Sequence, residues 1–417
     1  MIIERNYYLR QLINLQHNGM IKIVTGIRRC GKSFLLSTIY GNWLKEHGVD
    51  ENHIIDINLE DRRNKYLRDP DKLLEYIDSR LNDENMHYVM IDEIQLVPEF
   101  EDVLNSYLNK SNVDVYVTGS NARFLSSQVR TEFAGRGDEV RLYPLTFKEY
   151  CNAIDVDKDI ALRDFMIYGG MPQVVLKSTP REKAKLLDAL FERVYIRDII
   201  ERYKLKNKEV LDELLNILAS SIGGLTNATK LANTFASVKH ESVSRNTIVS
   251  YLEYICESFL TEKATRYDIK GKRYIESLYK YYFADCGLRN ARLNFRQIEY
   301  THLLENVIYN ELIARGFSVD VGIVAKHEKD DQGKRERQYY EVDFVCNQGS
   351  QRYYIQSAYR MINEEKVKQE ESSLRNIEDS FKKIIILGEY TPVLHNETGI
   401  TIISIYDFLL RDNSLEL

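Results

Sequence analysis

No two cysteines of this 417-residue chain stand in a CxxC arrangement; Cys30, Cys151, Cys256, Cys286 and Cys346 are scattered. That pattern points neither to a thiolate zinc site nor to a disulfide framework, and the five thiols read as reduced and mostly buried. No stretch approaches ~18 uninterrupted apolar residues, and the opening MIIERNYYLRQL lacks an apolar core between a basic end and a small-residue cleavage site. No membrane segment is expected, and the cytoplasm is the expected location. Bulk positive charge is missing too: the net charge of -6 and pI near 5.9 argue against a protein that coats nucleic acid by charge alone. Internal repeats and low-complexity segments are absent. What remains is 44% hydrophobic and 29% charged residues, the balance of a soluble globular protein. At about 150 residues per domain the length suggests roughly three domains.

The first third alternates β-branched apolar runs (Ile21 to Thr25, His53 to Leu59, Tyr88 to Ile91, Asp114 to Thr118, Glu139 to Leu142) with amphipathic stretches of helical period. This predicts an α/β fold with a parallel sheet and helices on both faces. From about Thr146 to Asn207 the pattern is helical, broken at Tyr168-Gly169-Gly170-Met171-Pro172, as a lid on an α/β core would be. Three helical segments between Glu209 and Phe259 precede two strand-like runs, Leu260 to Tyr267 and Arg273 to Leu278. Three helices and a hairpin suggest a winged helix. The remainder reads as a second α/β domain, with a helix over Thr301 to Ala314, a strand over Ser318 to Val324 and a charged turn from Lys326 to Arg337. Strands then cover Tyr339 to Cys346 and Arg352 to Ser357, a helix Asn363 to Asn376, and a strand Lys383 to Leu387. The expected segments are therefore 1–145, 146–207, 208–298 and 299–417.

Gly26-Ile27-Arg28-Arg29-Cys30-Gly31-Lys32-Ser33 matches GxxxxGK[ST], between an apolar strand and a helix that opens at Phe34. Glycines there let the backbone curl so that its N–H groups and the helix N-terminus face phosphate oxygens. Lys32 would reach the outer phosphates of ATP, and the Ser33 hydroxyl would ligate magnesium. A second element, Tyr88-Val89-Met90-Ile91-Asp92-Glu93, is an apolar strand ending in two carboxylates. Asp92 would hold magnesium, and Glu93 would orient or deprotonate the attacking water. The strand Val113 to Thr118, expected between these two motifs, ends in Gly119-Ser120-Asn121, which makes Asn121 the candidate sensor of the γ-phosphate. Arg123, Arg130 and Arg136 are candidates for an arginine finger, and Arg136 in Phe133-Ala134-Gly135-Arg136 is favoured because a finger must be offered on an exposed loop. Cys30 is read as the small residue that the loop requires rather than as a redox centre.

With GIRRCGKS at Gly26, IDEIQ at Ile91, TGSN at Thr118, FAGR at Phe133, YPLTFKEY at Tyr143 and IRDIIERYKLKN at Ile196, nearly the whole chain resembles bacterial and archaeal AAA-type ATPases with a C-terminal domain of unknown function. The resemblance implies an AAA+ type core, a winged helix, and a terminal domain similar to restriction-endonuclease-like nucleases. A nuclease of that fold needs a helix Glu, an Asp and a following (D/E)xK, since carboxylates must hold magnesium while Lys steadies the attacking hydroxide. Glu305 and Asp343 fit the first two positions. Gln356 stands where a carboxylate is expected and Ala358 where Lys is expected, so the expectation is a degenerate domain without nuclease activity.

Between Glu201 and Arg296 there are 16 Lys and Arg against 11 Asp and Glu, a local excess of five positive charges. In the expected recognition helix, Ser244 to Phe259, helical spacing turns Ile248, Leu252, Ile255 and Phe259 inward and leaves Arg245, Asn246 and Ser250 outward. With Arg266, Lys270, Lys272 and Arg273 of the wing they would suit phosphate and base-edge contacts in a duplex, although Glu253 and Glu257 on the same helix would repel phosphate. The expectation is an oligomeric ATPase acting on double-stranded DNA as motor or switch; the competing one is an ATP-switched scaffold that binds a protein partner.

Overall fold

The computed structural model describes residues 2–120, 135–239, 242–329, 335–360 and 364–417. They form two compact units: Met1–Pro144 with Glu257–Phe259, and Leu145–Cys256 with Leu260–Leu417. The sequence reading divides the same length into four segments.

The first unit is built on five strands, β1 (Ile21–Thr25), β2 (Ile54–Asn58), β3 (His87–Asp92), β4 (Val113–Gly119) and β5 (Gly137–Arg141), in the order β2-β3-β4-β1-β5. Every pairing is parallel, which requires a crossover after each strand and explains the alternating pattern. β1 and β3 are buried along their whole length, as central strands covered on both faces must be. The one charge inside β1, Lys22, is matched by a buried ion pair with Asp114 of β4. Residues of β2, β3 and β4 pack with the helix Pro70–Asp78 in one apolar core that includes Ile55, Ile57, Leu73, Ile77, Val89 and Val117. Asp69 caps that helix through the Lys72 N–H and Pro70 follows it at the first helical position, a start legible in the residues themselves.

The second unit begins with helices. Thr146 and Glu149 form a capping box on Phe147–Ala153, and Thr179 with Glu182 forms another on Pro180–Leu190. Helices Lys208–Ser220, Ala228–Thr234 and Arg245–Glu257 then lead into an antiparallel pair, β6 (Thr261–Asp268) and β7 (Arg273–Phe283). The hairpin does not stand alone. β6 also pairs in parallel with β8 (Ser318–Lys329), through Arg266 to Asp268 against Val321 to Ile323. It thereby joins a sheet of order β12-β13-β11-β10-β9-β8-β6-β7, completed by β9 (Arg335–Gln348), β10 (Gln351–Ala358), β11 (Lys382–Leu387), β12 (Leu394–His395) and β13 (Ile400–Ser404). The helix Tyr300–Ala314 carries the core residues Leu303, Leu304, Val307, Ile308 and Leu312. The charged turn is shorter than expected, because β8 runs on to Lys329 and β9 starts at Arg335.

Candidate active site

The chain leaves β1 at Thr25 and curls through Gly26 with φ +144° and Gly31 with φ +105°. A Cβ on Gly26 would lie 2.1 Å from the carbonyl oxygen of Leu142, so only glycine fits where the loop passes the end of β5. Arg29 takes a left-handed φ of +69°. Arg5, 4% exposed, ties the loop from behind by donating to the carbonyls of Cys30 (3.4 Å) and Tyr143 (2.8 Å). Lys32 is buried and folds over its own loop, donating to the carbonyls of Gly26 (3.1 Å) and Ile27 (3.2 Å). Cys30 is fully buried and burial pushes its thiol upward, so it is the inert small residue read from the sequence. The Arg28 guanidinium pairs with Glu60 at 2.6 Å, and Phe34 is exposed at the start of the helix.

At the end of β3 the side chains interlock. The Ser33 hydroxyl donates to Asp92 Oδ1 at 2.8 Å and the Thr118 hydroxyl donates to the same oxygen at 2.6 Å. Thr118 in turn accepts from the Glu93 N–H at 2.9 Å. β4 lies between β1 and β3, so its last residues reach both motifs. Burial pushes the Asp92 carboxyl above the ordinary carboxylate range; the Thr118, Ser33 and Lys32 contacts oppose that rise and Glu93 adds to it. Glu93 adopts φ +56° and its carboxylate is held by Gln95 Nε2 and by the Ser120 hydroxyl at 3.0 Å. Thr118, Ser120, Gln95 and Arg5 also line the candidate site; the TGSN and IDEIQ strings contain the first three, but their contacts depend on β4 lying beside β3.

Asn121 lies outside the described residues. Arg136 is exposed and immediately precedes β5, where its carbonyl accepts from the Ile21 N–H at 2.9 Å. β5 runs parallel to β1, so Arg136 stands at the opposite end of the sheet from its own Gly26–Ser33 loop.

Residues 18–151 match the model of an AAA domain, and residues 160–299 match a domain of unknown function (DUF8612). An uncharacterized protein of Haemophilus influenzae is 33% identical over 416 residues, covering 98% of this chain and 99% of that one. The chain belongs to the family of that Haemophilus protein. Its first unit is thus an AAA domain of the P-loop class, and the chain is also similar, at 29% identity, to an uncharacterized protein of Methanocaldococcus jannaschii, over 86% of this chain and 78% of that protein. Among solved structures, a Walker-type ATPase of Pyrococcus abyssi is similar with TM-score 0.49 and 15% identity, over 70% of this chain and 96% of that one. The ORC2 protein of Aeropyrum pernix, solved as ADPNP-ADP complexes, gives 0.40 and 13%, over 69% and 91%.

In the chain's C-terminal half Glu305, Asp343 and Gln356 lie near one another, around a lysine. Glu305 accepts from Lys280 Nζ at 2.8 Å and from the Tyr282 hydroxyl at 2.6 Å, and Lys280 also pairs with Glu341 at 2.7 Å. Asp343 accepts from the Ser357 N–H at 2.8 Å, and Gln356 Oε1 lies 3.4 Å from the Asp343 N–H. Burial pushes the Asp343 carboxyl well up and Glu305 adds to the rise. Burial alone would lower the Lys280 ammonium, but Glu305, Asp343 and Glu341 outweigh it and hold its pKa above the usual lysine value. Of the expected duplex contacts, Arg245, Asn246 and Lys272 are exposed. Lys270 is instead paired with Glu378 at 2.7 Å, and Arg273 lies 3.8 Å from Asp268. No helix among the described residues is long and apolar enough to cross a membrane.

Proposed function

We propose that the protein binds ATP with magnesium in the loop Gly26 to Phe34, hydrolyses it, and couples hydrolysis to double-stranded DNA. The observation that carries the nucleotide reading is the junction of Ser33, Asp92, Thr118 and Glu93 at the ends of neighbouring strands. Ser33 Oγ and Asp92 Oδ1, 2.8 Å apart, are a pair of hard oxygen donors that suits magnesium bound together with substrate phosphates. When bound, that ion neutralises charge on the phosphate oxygens. Gly26 and Gly31, at φ +144° and +105°, let the loop curl so that its backbone amides donate to the phosphates. Lys32 exchanges the two carbonyls it now holds for phosphate oxygens, a charge-assisted bond of greater strength. Glu93, released from Gln95 and Ser120, accepts a proton from the attacking water or orients it. Asn121 is the proposed γ-phosphate sensor. Arg136, too far from its own loop, is offered as a finger to the ATP of a second copy, which makes the acting species a homo-oligomer.

The C-terminal domain is read as nuclease-like without nuclease chemistry. Lys280 Nζ stands among Glu305, Glu341 and Asp343 as the compensating cation, and Gln356 and Ala358 supply neither the carboxylate nor the lysine that hydrolysis needs. A second reading, an ATP-switched scaffold for a protein partner, is favoured by the engagement of Lys270 and Arg273 in ion pairs.

Steady-state ATPase activity with magnesium, with and without a short duplex, tests both. Lys32→Ala should abolish turnover, and Glu93→Gln should lower it by on the order of 10²-fold or more while ATP still binds. Stimulation by duplex supports the DNA reading, and hydrolysis indifferent to DNA supports the scaffold. Failure to bind ATP at all would overturn the proposal.

A further inference from the structure

At the end of the first unit's sheet opposite the Gly26–Ser33 loop, three side chains converge that no nucleotide chemistry uses. His53 immediately precedes β2, His87 begins β3, and Asp83 lies in the connection leading into β3. One potential donor atom from each lies within 4.8 Å of the others. His53 Nε2 is 3.0 Å from Asp83 Oδ2, and His87 Nε2 is 3.9 Å from Asp83 Oδ1. The two imidazoles meet edge to face with ring centroids 4.8 Å apart. β3 separates the cluster from Asp92 by five residues, or about 17 Å of extended strand.

We infer that His53, Asp83 and His87 form a binding site for a borderline divalent transition ion of the zinc class. The His87 ring is fully buried, and its Nδ1 lies 2.8 Å from the carbonyl oxygen of Asn85. A carbonyl only accepts, so Nδ1 carries a proton and Nε2 is the ring atom turned into the cluster. Nε2 faces oxygen atoms, Asn82 Oδ1 at 3.3 Å and Asp83 Oδ1 at 3.9 Å. The donor atoms of His53, Asp83 and His87 converge within 4.8 Å, and a backbone carbonyl that orients the far ring nitrogen is the usual second partner of a metal-bound histidine. Asp83 contributes a carboxylate, 3.0 Å from His53 Nε2 and oriented by the Asn85 N–H, which donates to its Oδ1 at 2.8 Å. Two imidazoles and a carboxylate favour zinc, nickel or copper over magnesium. With bonds of about 2.0–2.1 Å, tetrahedral ligands sit roughly 3.3 Å apart, so the observed separations need only small rotations. An ion there would clasp the starts of β2 and β3.

The test uses full-length protein stripped with chelator and titrated with zinc chloride in excess magnesium, without nucleotide, with metal content measured after gel filtration. One zinc per chain is expected, together with a rise in Tm, and both should be lost in His53→Ala and in Asp83→Asn. Those variants should keep wild-type circular dichroism and ATP affinity. Absence of stoichiometric zinc would leave a proton-linked His–Asp pair or a turned Asn82 amide and overturn the site; so would zinc retained with unchanged affinity in both variants. Neither result depends on whether the other end of the sheet hydrolyses ATP.

Discussion

Thr118 joins the two acidic residues at the end of β3, through the carboxylate of Asp92 and the backbone of Glu93. Its hydroxyl donates to Asp92 and accepts from the Glu93 N–H. In Thr118→Val, nearly the same shape is kept while that buried N–H loses its partner, at a cost of about 1–3 kcal/mol. The same hydroxyl is the foremost contact that opposes the burial-driven rise of Asp92. A folded-state carboxyl pKa above the unfolded value means that the folded chain keeps its proton to higher pH, and that stability falls as pH climbs through that window. Removing Thr118's hydroxyl widens the window. Magnesium-dependent ATP affinity, followed from pH 5 to 8, should therefore be lost at a higher pH in Thr118→Val than in the wild type; coincident profiles would mean that Thr118 does not set the Asp92 charge. The residues of the loop were legible because a local string places them on one curl of backbone. Thr118 was quoted but given no role, since its part depends on β4 lying beside β3, and a single sequence does not print strand order. His53 and Asp83, thirty positions apart, were invisible to an argument that sought metal sites in cysteine spacing.

At the scale of elements, the break at Tyr168-Gly169-Gly170 was read as a turn, and the structure supplies its reason. Gly169 has φ +72°, and a Cβ there would fall 2.0 Å from Asp285 Oδ1. Asp285 is wholly buried, caps the helix Cys286–Arg292 through the Leu288 N–H at 3.0 Å, and accepts from the Gly170 N–H at 2.6 Å. Burial pushes its carboxyl up to about 6, against backbone bonds from Gly170, Leu288, Gly287 and Met171. The sign follows: between about 4 and about 6 the folded chain binds the proton and the unfolded chain does not, so stability falls as pH rises through that interval, by about 3 kcal/mol for a shift of this size. Asp285→Asn has no such titration. The difference in unfolding free energy between wild type and Asp285→Asn, from urea melts at pH 4 to 7, should shrink or reverse by about that amount as pH rises. A difference constant with pH would show that the backbone donors, not burial, decide the charge. The glycines announced the turn; the acid that fills the space they leave is 115 residues away and gave no local sign.

At the scale of the molecule, local period and turn chemistry located the strands of the first sheet to within a residue or two, as at Ile21–Thr25. They did not foresee that the hairpin β6–β7 would extend the eight-stranded sheet, because the pairing of Arg266 to Asp268 with β8 joins residues more than fifty positions apart. That fusion bears on the DNA proposal. A hairpin fixed in a sheet presents its turn rigidly, and in that turn Lys270 is paired with Glu378. Of the expected duplex contacts among the described residues, exposed Arg245 and Lys272 are then the cations taken as ready for phosphate. Two neutralised phosphates give a slope of log affinity on log salt of about -2, shallow for a DNA-binding protein. Fluorescence anisotropy of a labelled duplex between 50 and 200 mM salt should return that slope for the wild type, and each of Arg245→Ala and Lys272→Ala should flatten it by about one. Glu378→Ala acts in the opposite direction. It frees Lys270 for a third phosphate, so it should tighten binding and steepen the slope to roughly -3. A duplex that fails to bind at 50 mM salt even to Glu378→Ala would leave these cations to a protein surface and make the ATP-switched scaffold the reading to pursue.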